Sequence, residues 1–164
     1  MILSKFYLLL LLPVIFLPNL SSALLKDKTV CDLWVKSQSI CSGKLIQQNE
    51  TQKNIFFLEN AKCVGKAKLR PKIDFPEHHS REQLTIKDGM NVILFIANKK
   101  NSADLYEITD MPWGLIFENK VTGKIDLGGP LKSKLGQFLF TKDPKASLQQ
   151  IFELVKNEAS QCLN

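Results

Sequence analysis

Three groups of side chains in this sequence have the types and spacing to do chemistry: a histidine pair, a run of cations and four cysteines. Glu77-His78-His79 holds both histidines of the chain. A metal centre needs three or four converging ligands, and the helical HExxH spacing is missing. His78 or His79 with Ser80 and a distant Asp could in principle form a hydrolase triad, but no GxSxG context accompanies them. The surrounding stretch DFPEHHSREQ is polar and reads as a loop, where an exposed, unpaired His is ordinary. The sequence therefore assigns no catalytic residue, no metal ligand and no cofactor.

The cations form a sharper pattern. From Cys63 onward, Lys66, Lys68, Arg70 and Lys72 alternate with Ala67, Leu69, Pro71 and Ile73. In a strand, period-two spacing puts the four charges on one face and the apolar residues on the other. Such a stripe could bind phosphate, a sulfated glycan or an acidic protein surface. It could equally be a solvated face whose charges block edge-to-edge pairing, with Pro71 marking an edge or a strand end. No aromatic residue interrupts the run, which argues against single-stranded nucleic acid as the partner. Trp34, Trp113 and Tyr106 could line a ligand groove or pack in the core. Gly128-Gly129-Pro130 lacks a P-loop lysine and the GxGxxG fingerprint, and so reads as a plain loop.

The cysteines take their meaning from the start of the chain. Residues 1–23 carry Lys5, an apolar stretch from Phe6 to Leu17, and the small residues Ser21 and Ala23 at the −3 and −1 positions of a cleavage site. That is the three-part pattern of a secretory signal peptide. The stretch contains Pro13 and falls short of the roughly 20 residues a bilayer-spanning helix needs, and no later run is long enough either. Export to the outside or the periplasm favours disulfides among Cys31, Cys41, Cys63 and Cys162, in any of three connectivities. No pair forms a CxxC, so thioredoxin-type redox chemistry is disfavoured. Asn49-Glu50-Thr51 fits a glycosylation acceptor, relevant only in a eukaryotic host.

These side chains are positioned by residues 24–164, about one domain's worth of chain. The whole chain of 164 residues is 45% hydrophobic and 23% charged, with a net charge of +6, which excludes wholesale disorder. Leu33 to Val35 and Ile40 to Ile46 read as short extended or mixed segments. Ile55 to Leu58 is a β-type run, and the six apolar residues Val92 to Ala97 make the best central strand. Lys87-Asp88-Gly89 signals a turn. Leu105 to Ile108, Trp113 to Phe117, Val121 to Leu127 and Phe138 to Phe140 complete the strands. One helix is expected over about 144–160, capped by Asp143, started by Pro144 and striped by Leu148, Ile151, Phe152, Val155 and Ala159. The sum is a mainly β (α+β) domain: a small antiparallel barrel or sandwich with a C-terminal helix.

The segments ICSGKLIQQ, FFLENAKCVGKAKLR, KDGMNVILFIANKK with DLYEI, and WGLIFENKVTGKI follow one another in an order that resembles the netrin-like, or tissue-inhibitor-of-metalloproteinase-like, domain over about residues 31–128. The resemblance implies an OB-type barrel with a flanking helix. It does not carry over the inhibitor mechanism, which needs a Cys at the mature N-terminus, where Leu24 stands here. The expectation is a secreted, monomeric, non-enzymatic binding domain. Its partner would be a protein or an anionic ligand on the Lys66, Lys68, Arg70 and Lys72 face, not nucleic acid, with no stable membrane insertion once the signal is removed. The competing readings are a secreted hydrolase built on the Glu77-His78-His79 region and a structural envelope protein.

Overall fold

A computed structural model of the chain describes residues 28–49, 51–76, 86–102, 104–128 and 146–162. The signal segment, Glu77-His78-His79, Gly129-Pro130, Phe138 to Phe140, and Asp143 with Pro144 lie outside the described residues. In chain order the elements are α1 (Val30–Lys36), β1 (Ser39–Gln47), β2 (Ile55–Gly65), β3 (Lys72–Asp74), β4 (Asn91–Asn98), β5 (Leu105–Ile108), β6 (Leu115–Glu118), β7 (Ile125–Leu127) and α2 (Leu148–Gln161).

β1 hydrogen-bonds on both of its edges, to β2 on one side and to β4 on the other, both antiparallel. Together with β2–β3, the parallel β3–β5 pair and antiparallel β4–β5, this closes five strands in the order β1-β2-β3-β5-β4. The result is a small OB-like barrel with β6 and β7 added beside β4. The register of β1 against β2 shifts between the pairs Ser42–Lys62 and Lys44–Glu59, so the extra residue of this bulge lies in β2, at Asn60-Ala61 opposite Gly43, and Asn60 takes a φ of +53°. A Cβ at Gly43 would lie 2.7 Å from the Glu59 carbonyl oxygen, so glycine allows the close approach.

The unbroken apolar run in β4 follows from its two buried faces. Val92, Leu94 and Ile96 point into the barrel with Leu45, Leu58, Ile73, Tyr106 and Leu115. Ile93 and Phe95 point outward and are covered, with Ile40 and Ile116, by Leu33 of α1 and Ile151, Phe152 and Val155 of α2. A strand buried on both sides loses the alternation that a half-exposed strand shows. Each such large apolar side chain contributes about 1.5–3 kcal/mol over leaving it in water.

Both described helices are capped by their own sequence. Thr29 and Asp32 form a reciprocal capping box on α1, as do Ser147 and Gln150 on α2. The C-terminal helix is therefore as expected in its apolar stripe but starts at Leu148 behind Ser147, later than the 144 expected. Leu33 to Val35, read as extended or mixed, is the body of α1. The disulfides are Cys31–Cys162, which ties α1 to the end of α2, and Cys41–Cys63, which joins directly opposed residues of β1 and β2. α1 is also clasped to the β5–β6 turn: Lys28 and Lys36 reach Oδ2 of Asp110 at 3.0 and 2.7 Å. Ser37 Oγ donates to Thr109 Oγ1 at 2.9 Å.

Two expectations follow. Replacing Cys31 and Cys162 by Ser should cost about 4–5 kcal/mol, and replacing Cys41 and Cys63 about 3 kcal/mol, because the cost grows with the length of chain enclosed. Separations of 131 and 22 residues set that order, and denaturant titration showing the reverse order would contradict it. The hydrogen bond from Lys36, with a further contribution from Lys28, holds the Asp110 carboxyl below the ordinary carboxylate range. A depressed carboxyl stabilises the fold above its unfolded value of about 3.9, and that contribution is lost as pH falls toward its folded value. Asp110→Asn should therefore cost about 1 kcal/mol at neutral pH and flatten the decline in stability below pH ~4. An unchanged pH slope in the variant would show that the clasp carries no stability.

Candidate anionic-ligand site

The run of cations does not lie along a strand. β2 ends at Gly65, whose φ of +113° turns the chain, and a Cβ there would fall 2.2 Å from the Gln38 carbonyl oxygen. Residues 66–71 form the β2–β3 connection, and only Lys72 belongs to a strand. The expected face of four cations backed by four apolar residues is accordingly corrected: Ile73 and Pro71 are buried, whereas Leu69 is 90% exposed. β3 is paired on both sides within the closed barrel, so its charge is not guarding a sheet edge.

The sheet nevertheless gathers part of the run. Phe57 on the outer face of β2 stands opposite Lys72 of β3. Arg70 and Lys72 both sit over its ring, with Cζ and Nζ at 5.5 and 5.4 Å from the centroid. Each such contact at a partly exposed site is worth about 0.5–1 kcal/mol and limits where the cation can wander. The aromatic residue missing from the run is thus supplied from across the sheet. Its ring is engaged by the protein's own cations, so it orders them instead of offering a platform to a base.

Lys68 turns to the β4–β5 connection and pairs with Asp104. Hydrogen bonding and charge attraction between the two raise the Lys68 ammonium pKa and lower that of the Asp104 carboxyl, to which Lys72 also contributes. Both groups are largely exposed, and such a pair positions more than it stabilises. Lys66 is exposed at the start of the connection, where its backbone N–H donates to the Gln38 carbonyl at 3.1 Å. Four cations expected on one face therefore resolve into two ordered over Phe57, one drawn to Asp104 and one at the turn.

The backbone of the connection is pinned from several sides. The N–H of Ala67 donates to Ser39 Oγ at 2.7 Å, and that of Lys68 to the Tyr106 hydroxyl at 3.2 Å. The N–H of Leu58 donates to the Pro71 carbonyl at 3.1 Å. Tyr106 is buried in the barrel core, whereas Trp34 and Trp113 pack against the helix-covered outer layer. The three rings consequently line no common groove. The part played by Tyr106, an anchor for the basic connection, has no signal in the sequence.

A second feature lies further along the same barrel wall. An open cleft of about 430 Å³ is lined by Asn54, Asp74, Phe75, Pro76, Lys99, Glu107 and Ile108. Its one cation is already committed, since Lys99 pairs with Asp74, which raises the ammonium pKa. The Glu77-His78-His79 group proposed for a hydrolase falls outside the described residues. Among the described residues no group of three or more His, Cys, Asp or Glu side chains is placed to hold a metal ion. Among them, too, no helix is long and apolar enough to cross a membrane. Fold and site together define an OB-like barrel with two disulfides and a basic β2–β3 connection. Comparison with protein-family models, with curated proteins and with solved structures returned no match.

Proposed function

We propose that the chain is an exported, non-enzymatic binding domain that takes an anionic ligand or partner on the β2–β3 side of its barrel. The observation that carries this reading is the convergence of Arg70 and Lys72 on Phe57. Two cations held over one ring have lost much of their rotamer freedom before any ligand arrives, so less entropy remains to be lost on binding. Arg70 adds a planar fork of donors suited to phosphate, sulfate or carboxylate. The outer face of strands 2 and 3 is also where OB-type barrels commonly bind oligomeric ligands, a fold-level analogy that agrees with the location.

Export is supported by the signal-like residues 1–23 and by two disulfides, which persist in oxidising compartments. The kinship we propose is with netrin-like domains, on the sequence pattern given above. The domain acts in this reading as a monomer outside the cell or in the periplasm.

Heparin, a sulfated polymer, is a convenient probe. Lys66→Gln, Arg70→Gln and Lys72→Gln combined should weaken heparin binding about tenfold, or ~1.4 kcal/mol. Lys53→Gln, Lys87→Gln and Lys124→Gln remove the same charge from exposed positions elsewhere and should change it less than about twofold. Equal losses in the two triple variants, measured as the salt needed for elution, would reduce the effect to net charge.

A further inference from the structure

Leu69 occupies an unusual place in the basic connection. It is 90% exposed, in a six-residue connection whose backbone is tied to the barrel at both ends. The N–H groups of Lys66, Ala67 and Lys68 are held by Gln38, Ser39 and Tyr106, and the carbonyl of buried Pro71 is held by Leu58. Leu69 and Arg70 lie between these held residues, at the exposed tip of the connection. On either side of this apolar tip stand Lys68 and Arg70, with Lys66 and Lys72 one step further out.

We infer that this tip docks on an anionic lipid surface, with Leu69 entering the interface while Lys66, Arg70 and Lys72 meet the headgroups. The inference rests on the anionic-ligand reading above and names its partner. An exposed apolar side chain flanked along the chain by cations matches the boundary of an anionic bilayer, where negative headgroups lie directly above acyl chain. A sulfated glycan or an acidic protein strand could use the cations but has no need of a projecting leucine. Each basic residue near such a surface contributes about fivefold in affinity, and a single leucine in the interface about tenfold. One loop therefore gives reversible, salt-sensitive attachment, far weaker than the hold of a spanning helix.

The test uses the full chain and vesicles of phosphatidylcholine with about 30% phosphatidylserine, with heparin retention measured in parallel. Leu69→Ser should lower vesicle binding about tenfold and leave heparin retention unchanged, whereas Arg70→Gln with Lys72→Gln should lower both. Leu69→Trp gives a local readout independent of the apolar N-terminal segment. The emission it adds to that of Trp34 and Trp113 should be quenched by lipids with brominated chains. Added emission that stays unquenched while the chain is vesicle-bound would overturn the inference. So would vesicle binding that Leu69→Ser leaves intact. Heparin retention without vesicle binding overturns the lipid assignment and leaves the anionic-ligand reading standing. Failure of wild type to bind either probe removes both.

Discussion

Closure of the barrel through β1 is the constraint on which the other features depend. A single strand satisfies β2 on one edge and β4 on the other, and the register irregularity this involves falls in β2, opposite Gly43. Once β1 is shared, β3 and β5 must meet side by side, and they do so in parallel. Closure removes the exposed edges that a five-stranded open sheet would present. It also fixes where each connection leaves the barrel. The β2–β3 connection emerges beside the β4–β5 connection, which is why Lys68 can find Asp104 across 36 positions of sequence.

The helices depend on the same closure from the outside. The outer faces of β1, β4 and β6 offer Ile40, Ile93, Phe95 and Ile116, and α1 and α2 cover them together. Cys31–Cys162 then joins the two helices to each other, while the Asp110 clasp joins α1 to the barrel rim. The helical layer occupies one side of the barrel. The outer face bearing Phe57, Arg70 and Lys72 lies on β2 and β3 and the connection between them, apart from the strands that α1 and α2 cover.

Much of this architecture was legible in the sequence, and the misses have physical causes. The run from Val92 to Ala97, the Asp88-Gly89 turn and the stripe of α2 each rest on local pattern, and each occurs where the pattern put it. The basic run failed because alternation is a rule about strands, and the glycine at 65 ends the strand before the alternation begins. α1 was missed because a seven-residue helix is too short to show periodicity. Its signal was the pairing of Thr29 with Asp32, a capping box one turn ahead of Leu33. Phe57 could be joined to Arg70 and Lys72 only through the β2–β3 register, which no local pattern encodes. The same holds for the hydroxyl of Tyr106, which stabilises a connection 38 positions away.

The central claim is that closure of the barrel presents one ordered cationic patch where an anionic ligand sits. Its most direct test is a nuclear magnetic resonance titration of the intact, disulfide-bonded chain with a short heparin-derived oligosaccharide. The account predicts saturable shifts confined to Phe57, residues 66–72 and the facing residues Asp104 and Leu105, with the amides of α2 and of the β6–β7 turn unmoved. Shifts spread over lysines around the whole molecule, or centred on Lys120 and Lys124, would contradict it.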